Sequence, residues 1–174
     1  DIIIVGGRPA GASLAARLGK RGVRVLIVDR ATFPSHPGVP SSPAIHAGAM
    51  ALLDELGIDQ STYDDAHARM RELLIDVAGV FTAKFPVPKF ANGRNYVLGI
   101  DRAKFDNALW DHLGRFPSVE KRSGFNVTNL VWQGKKVVGI LGATKGETPR
   151  EITARCVIGA DGRFSLIGRK AGSE

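Results

Sequence analysis

"DIIIVGGRPAGASLAARLGKRG", residues 1–22, carries an apolar run into a glycine turn and then into an alanine-rich stretch. Ile2–Val5 shows no alternation and is wholly β-branched, which predicts a strand buried on both faces of a parallel sheet. Pro9 suits the first turn of a following helix, where a missing N–H is harmless. Leu14, Ala15 and Leu18 give that helix an apolar stripe, and Gly22 after Lys20–Arg21 stops it. "VRVLIVD" (23–29) is the second strand, reached by a right-handed crossover. This is the layout of a dinucleotide-binding βα unit, whose fingerprint is G-x-G-x-x-G. Gly6 and Gly11 hold the first and third glycine positions, but the middle one is Arg8.

A helix N-terminus offers free N–H groups and a positive dipole end to a pyrophosphate. Gly6, Gly7, Pro9, Ala10 and Gly11 supply the small residues such a turn needs. The side chain of Arg8 either points away from the phosphates or caps them with its own charge. Asp29 closes the second strand, where a ribose-binding carboxylate belongs. An acid there accepts hydrogen bonds from ribose hydroxyls and repels a 2′-phosphate, although Arg30 beside it weakens that exclusion. These residues alone leave NAD and FAD equally open.

The chain has 174 residues, 44% of them apolar, enough for one domain of ordinary size or one domain with a small insertion. No uninterrupted apolar run approaches the ~18 residues of a membrane-spanning helix. One cysteine excludes an internal disulfide and a multi-cysteine zinc site, so a reducing cytoplasm is the expected compartment. Cys156 itself, in an apolar strand, reads as inert core. The net charge of +7 suits nucleic acid, anionic lipid or a phosphate-bearing ligand. The basic residues are spread thinly, in pairs such as Lys135–Lys136 and Arg169–Lys170, so a small-molecule partner and no nucleic acid is expected. His36 and His46 read as solvated loop residues; His67 and His112 lack ligand-spaced partners, so no metal is expected.

Residues 31–43 read as a long surface loop, with Ser42 capping a helix that carries Ile45, Ala49, Leu52, Leu53 and Leu56 along one stripe. "RELLIDV" (71–77), "VFTAKFPVP" (80–88) and "NYVLGI" (95–100) are expected strands, the last two joined by hairpin-like "KFANGR". Asp101 caps a helix whose buried face is Phe105, Leu109, Trp110 and Leu113. "FNVTNLVW" (125–132), "KKVVGILGAT" (135–144) and "REITARCVIGAD" (150–161) predict an antiparallel meander whose last strand re-enters the parallel sheet.

"CVIGADGRFSLIGRKAG" (156–172) then runs from a strand through Gly159–Ala160–Asp161–Gly162 into a helix-like segment. With the glycine turn and Asp29, this segment resembles the FAD-dependent aromatic hydroxylase (class A flavoprotein monooxygenase) family and its relatives among geranylgeranyl reductases and flavin-dependent halogenases. "ADGRFSLIGR" matches the family's A-D-G-x-x-S-x-x-R segment, with Ser165 in place and the arginine one position late at Arg169. "GIDRAKFDNALWDHL" (99–113) is similar to its R-x-x-[LF]-x-x-x-L helix start. By that likeness Arg102 contacts the flavin's ribityl or phosphate region, and the meander backbone near Val127 meets the adenine. A "GGR" turn is, by the same resemblance, an accepted sub-pattern.

The resemblance implies a Rossmann-like, doubly wound α/β FAD-binding domain over 1–72 and 100–174, with a β-meander and a small β insertion from a substrate domain at 73–99. It implies FAD held by Gly6, Gly7, Arg8, Pro9, Ala10, Gly11, Asp29, Arg30, Arg102, Val127, Asp161 and Gly162, with NADH or NADPH as transient electron donor. The implied parent is an FAD-dependent monooxygenase or oxidoreductase acting on a small organic, aromatic substrate. The alternatives are an isoprenoid (geranylgeranyl-type) reductase and a non-catalytic nucleotide-binding module. Nothing here matches the family's later G-D-A-A-H-type segment or most of its substrate sheet. The chain is therefore expected to be part of a longer protein, to bind flavin weakly alone, to hydroxylate nothing by itself, and to self-associate through an uncovered sheet face.

Overall fold

The computed structural model describes residues 1–38, 41–64 and 69–172; His67 lies outside them. In chain order the elements are β1 (Ile2–Val5), α1 (Pro9–Gly19), β2 (Val25–Asp29), β3 (Ala44–Ile45), α2 (Ala47–Leu56), β4 (Arg69–Met70), β5 (Glu72–Val77) and β6 (Phe81–Pro86). They continue with β7 (Val97–Gly99), α3 (Arg102–His112), β8 (Val119–Ser123), β9 (Phe125–Gln133), β10 (Lys136–Thr144), β11 (Arg150–Thr153), β12 (Cys156–Gly159) and α4 (Leu166–Ala171). They form two compact units, one of residues 1–35 with 106–174 and the other of 36–105; the expected insertion at 73–99 falls within the second.

The first unit is a Rossmann-like α/β structure. Its parallel sheet runs in the order β12-β1-β2-β8. β1 lies between two partners, Ile3 pairing with both Val157 and Leu26, which is why its residues are apolar on both faces. On α1 the buried residues are Gly11, Ala12, Ala15 and Ala16, while Leu14 and Leu18 are only half-buried at the flanks. Small side chains let the helix lie close against the sheet, so the expected leucine stripe yields to an alanine one. The strand β8, "VEKRS", continues the sheet in register with β2 although its sequence is polar. β9, β10 and β11 form the antiparallel meander. "REITARCVIGAD" breaks at Ala154–Arg155, so β11 closes the meander and β12 enters the parallel sheet. Ile3, Val5 and Val28 pack with Phe125, Val127, Leu130 and Ile140 of the meander and Ile167 of α4. Cys156 is exposed rather than core, because it opens the edge strand β12.

In the second unit β3, β7 and β4 form a small antiparallel sheet. Ala44–Ile45 is drawn into pairing with Gly99 and Leu98, so the chain stays extended there and α2 begins later than Ser42 suggests. His46 is its cap, Nδ1 accepting from the Ala49 N–H at 3.3 Å, while Ser42 Oγ accepts from Ala44 N–H. Met50, Leu53 and Leu56 are buried, and Leu52 is exposed. The hairpin is β5–β6, not β6–β7: Leu73 faces Phe85, and Val77 faces Phe81. Leu73, Ile75, Val77, Phe81 and Phe85 share one face of it, and all are exposed. Asp101 does cap α3, accepting from Lys104 N–H at 2.8 Å. Among the described residues no helix is long and apolar enough to cross a membrane.

Tyr63 is fully buried in this unit, edge-on to Phe105 with ring centroids 5.5 Å apart. Its hydroxyl finds no hydrogen-bond partner among the described residues, and burial pushes the phenol up to about 12. A buried orphan donor opposes folding. Tyr63→Phe, which keeps the ring, is therefore expected to raise stability by about 1 kcal/mol in urea unfolding. A loss of similar size would show that the hydroxyl is satisfied.

Candidate functional site

Parallel strands place their C-terminal ends on one edge, and the sequence-derived residues of the first unit gather there. Val5 ends β1 in register with Val28 of β2 and Gly159 of β12. The next residues on the three strands are Gly6, Asp29 and Ala160–Asp161. Two backbone bonds tie them: Gly6 N–H to Val28 O (2.8 Å) and Ala160 N–H to Val5 O (2.7 Å). Gly6 has φ +107, and a Cβ on it would fall inside the Ala160 carbonyl, so no other residue fits. A Cβ on Gly7 would fall inside the Trp110 ring. Gly11 lies one turn on, packed against the Gly6 carbonyl.

Arg8 is the N-cap of α1, with φ −83 and ψ −173, an extended conformation open to any residue. The backbone therefore makes no demand for glycine at the middle position. No side chain caps the helix there, and Pro9 has no N–H, so the first-turn amides of Ala10 and Gly11 have no partner within the helix. The Arg8 guanidinium leaves the turn: Nη1 donates to the Ser35 carbonyl at 3.0 Å and to Asp106 Oδ2 at 2.5 Å, and Nη2 donates to Ser35 Oγ at 3.1 Å.

Asp29 is buried, and its carboxylate is already engaged. Oδ2 accepts from Gly7 N–H at 2.6 Å, and Oδ1 accepts from Ala31 N–H at 2.7 Å. A carboxylate has about four acceptor positions, so capacity remains for two ribose hydroxyls. Arg30 beside it is exposed. Asp161 caps α4, accepting from Ser165 Oγ (2.5 Å), Leu166 N–H (2.6 Å) and Ile167 N–H (3.2 Å). Ser165 Oγ in turn accepts from Gly168 N–H at 2.8 Å, and Gly162 turns the chain with φ +86 over open space. Arg169 bonds the Phe164 carbonyl of its own turn. The Val127 side chain is spent in the core, which leaves only its backbone for a ligand. Arg102 lies in the other unit, hydrogen-bonded to Ser41 Oγ.

Open helix amides, a glycine turn that only glycine can make and a strand-end carboxylate with spare acceptors suit a dinucleotide carrying a pyrophosphate and a ribose. Sequence reasoning passes over Asp106, Ser35 and Phe33 and gives Trp110 only as buried helix face; all four lie around this turn. The available signal was Asp106 itself, a charge placed at helical spacing among Phe105, Leu109, Trp110 and Leu113 and, in the fold, fully buried.

A family model described as "FAD binding domain" matches residues 1–174. The chain is 28% identical over 172 residues to a 6-methylpretetramide 4-monooxygenase of Streptomyces rimosus, covering 99% of this chain and 40% of that protein. It is also 28% identical over 173 residues to a menaquinone reductase of Mycobacterium tuberculosis, with 99% and 40% covered. A solved geranylgeranyl bacteriochlorophyll reductase-like protein of Thermoplasma acidophilum superposes with a TM-score of 0.82 at 23% identity, over 99% of this chain and 41% of that one. The chain thus spans about two-fifths of the length of the curated relatives it matches.

Proposed function

The chain belongs to the FAD binding domain family, and from that membership we propose that the edge formed by Gly6, Asp29 and Asp161 holds FAD for a flavin-dependent monooxygenase. The observation that carries this reading is the meeting of the open α1 amides with the half-engaged Asp29 carboxylate on one sheet edge. The Ala10 and Gly11 amides would take the pyrophosphate and Asp29 the adenosine ribose. The Val127 backbone would meet the adenine, and Asp161–Gly162 would lie along the ribityl chain. Arg30, exposed beside Asp29, would complete the set from the first unit, while Arg102 belongs to the other unit and stays an expectation of the resemblance alone. When bound, FAD supplies the redox chemistry, with electrons from NADH or NADPH; the chain's own residues bind and orient it. The substrate of the whole protein would be a small aromatic compound, as the sequence resemblance implies; the monooxygenase relative supports the type of reaction. A reducing cytoplasm suits the exposed thiol of Cys156. Self-association through the exposed apolar face of β5–β6 belongs to the same reading, and a monomer at all concentrations in sedimentation would contradict it.

A second reading, reduction of an isoprenoid or quinone substrate, is favoured by the menaquinone reductase relative. Oxygen uptake by the full-length protein separates the two. With NADH or NADPH and a panel of phenols, the monooxygenase reading expects oxygenated product in proportion to the oxygen consumed. Substrate reduction that proceeds without oxygen would replace it. Retention of FAD after gel filtration, seen as a yellow visible spectrum, tests the cofactor under either reading. A protein that retains no flavin but binds NAD would contradict both.

A further inference from the structure

We propose that Arg8 is a positioning residue that holds the cofactor site together from behind rather than a ligand of the phosphates; this rests on the FAD reading above. Its guanidinium joins three separate stretches of the first unit: the glycine turn, the segment 33–35 and α3. Nη1 pairs with Asp106 Oδ2 at 2.5 Å, and the Asp106 side chain is 0% exposed. The same guanidinium bonds the carbonyl and hydroxyl of Ser35 and lies over the Phe33 ring at 5.5 Å. Phe33 stacks on Trp110 with centroids 4.6 Å apart, and Trp110 is the ring against which Gly7 packs.

A buried carboxylate deprived of its cation is strongly unfavourable, so Asp106 holds the guanidinium where it lies. Asp29 bonds Gly7 and Ala31, joining the turn to the near end of segment 30–35. Arg8 bonds Ser35, joining the same turn to its far end. The two side chains thus fasten one loop at both ends, and loosening one end frees the carboxylate at the other. A lysine at position 8 could not reproduce this fork of donors.

The test measures thermal unfolding without ligand, and FAD dissociation constants at low and high salt, for the full chain and for Arg8→Met, Asp106→Asn and the double variant Arg8→Met/Asp106→Leu. Each single variant is expected to lower the ligand-free midpoint by about 6 °C or more. Each is expected to weaken FAD about tenfold, a coupling of the size seen between residues of one network. The salt dependence of FAD binding should match the parent's in Arg8→Met, because no phosphate contact has been removed. The double variant replaces the buried carboxylate and its half-buried partner by apolar groups, and should fold even where a single variant does not. It is expected to bind FAD as weakly as the singles. A flatter salt dependence in Arg8→Met with an unchanged midpoint would make Arg8 a phosphate ligand and overturn the proposal. So would parent-like FAD affinity in Asp106→Asn or in the folded double variant. If the parent binds no FAD, the cofactor reading fails on its own, while the ligand-free midpoints still report whether Arg8 and Asp106 act as one clamp.

Discussion

Gly6→Ala is expected to cost the folded chain about 2–6 kcal/mol and to take FAD binding below detection. Two separate causes add at this position. With φ +107 the backbone lies where an L-residue is strained, and the new Cβ would occupy the place of the Ala160 carbonyl. That carbonyl is backbone and cannot rotate aside, so β1 and the chain leaving β12 would have to separate. The Ala160 N–H to Val5 bond would go with them. Gly162→Ala provides the comparison, because its φ is +86 but a Cβ there meets open space. It should show only the conformational part, about 1 kcal/mol in urea unfolding. Equal losses in the two variants would mean that the close approach at Ala160 is unimportant.

Asp29→Ala is expected to weaken FAD binding by at least about tenfold and also to destabilise the chain without ligand, by up to about 3–6 kcal/mol. Read from the sequence, this carboxylate is a ribose ligand and nothing more. In the structure it also accepts two short bonds from the Gly7 and Ala31 amides. Removing it leaves the buried Gly7 N–H without an acceptor and lets the turn open. Asp29→Asn keeps one acceptor oxygen and should fall between parent and alanine in both measurements. Unchanged urea stability in Asp29→Ala would show that the two amides are satisfied by water, and unchanged FAD affinity would remove the ribose role.

The parts of the fold that could be read in advance are those whose local pattern and tertiary role coincide. Ile2–Val5 has the same apolar character on both faces because it lies between two strands, and Gly6 announces the turn because nothing else fits there. Strand character from 118 onward is legible, but the place of β8 in the parallel sheet is not, because "VEKRS" joins β2 through backbone pairing, which leaves no mark on side-chain chemistry. The late start of α2 has the same origin: pairing with β7 overrides the local capping signal of Ser42. The hairpin was displaced because "KFANGR" has turn chemistry, yet the strands on either side of it pair elsewhere. In the site, Gly6, Gly11 and Asp29 could be found from spacing. The partnership of Arg8 with Asp106 could not, since the two are far apart in sequence and only the packing of α3 against the turn joins them.

The most direct test of the central claim, that this edge holds the adenosine and pyrophosphate end of FAD, is a competition titration of flavin fluorescence. The full chain is titrated with FAD and with FMN, and the FAD complex is then challenged with ADP. The predicted result is saturable binding of FAD, displacement by ADP and no comparable binding of FMN, because in the proposed reading the residues gathered here take a ribose and a pyrophosphate. FMN binding as tight as FAD, or an FAD complex that ADP leaves intact, would contradict it.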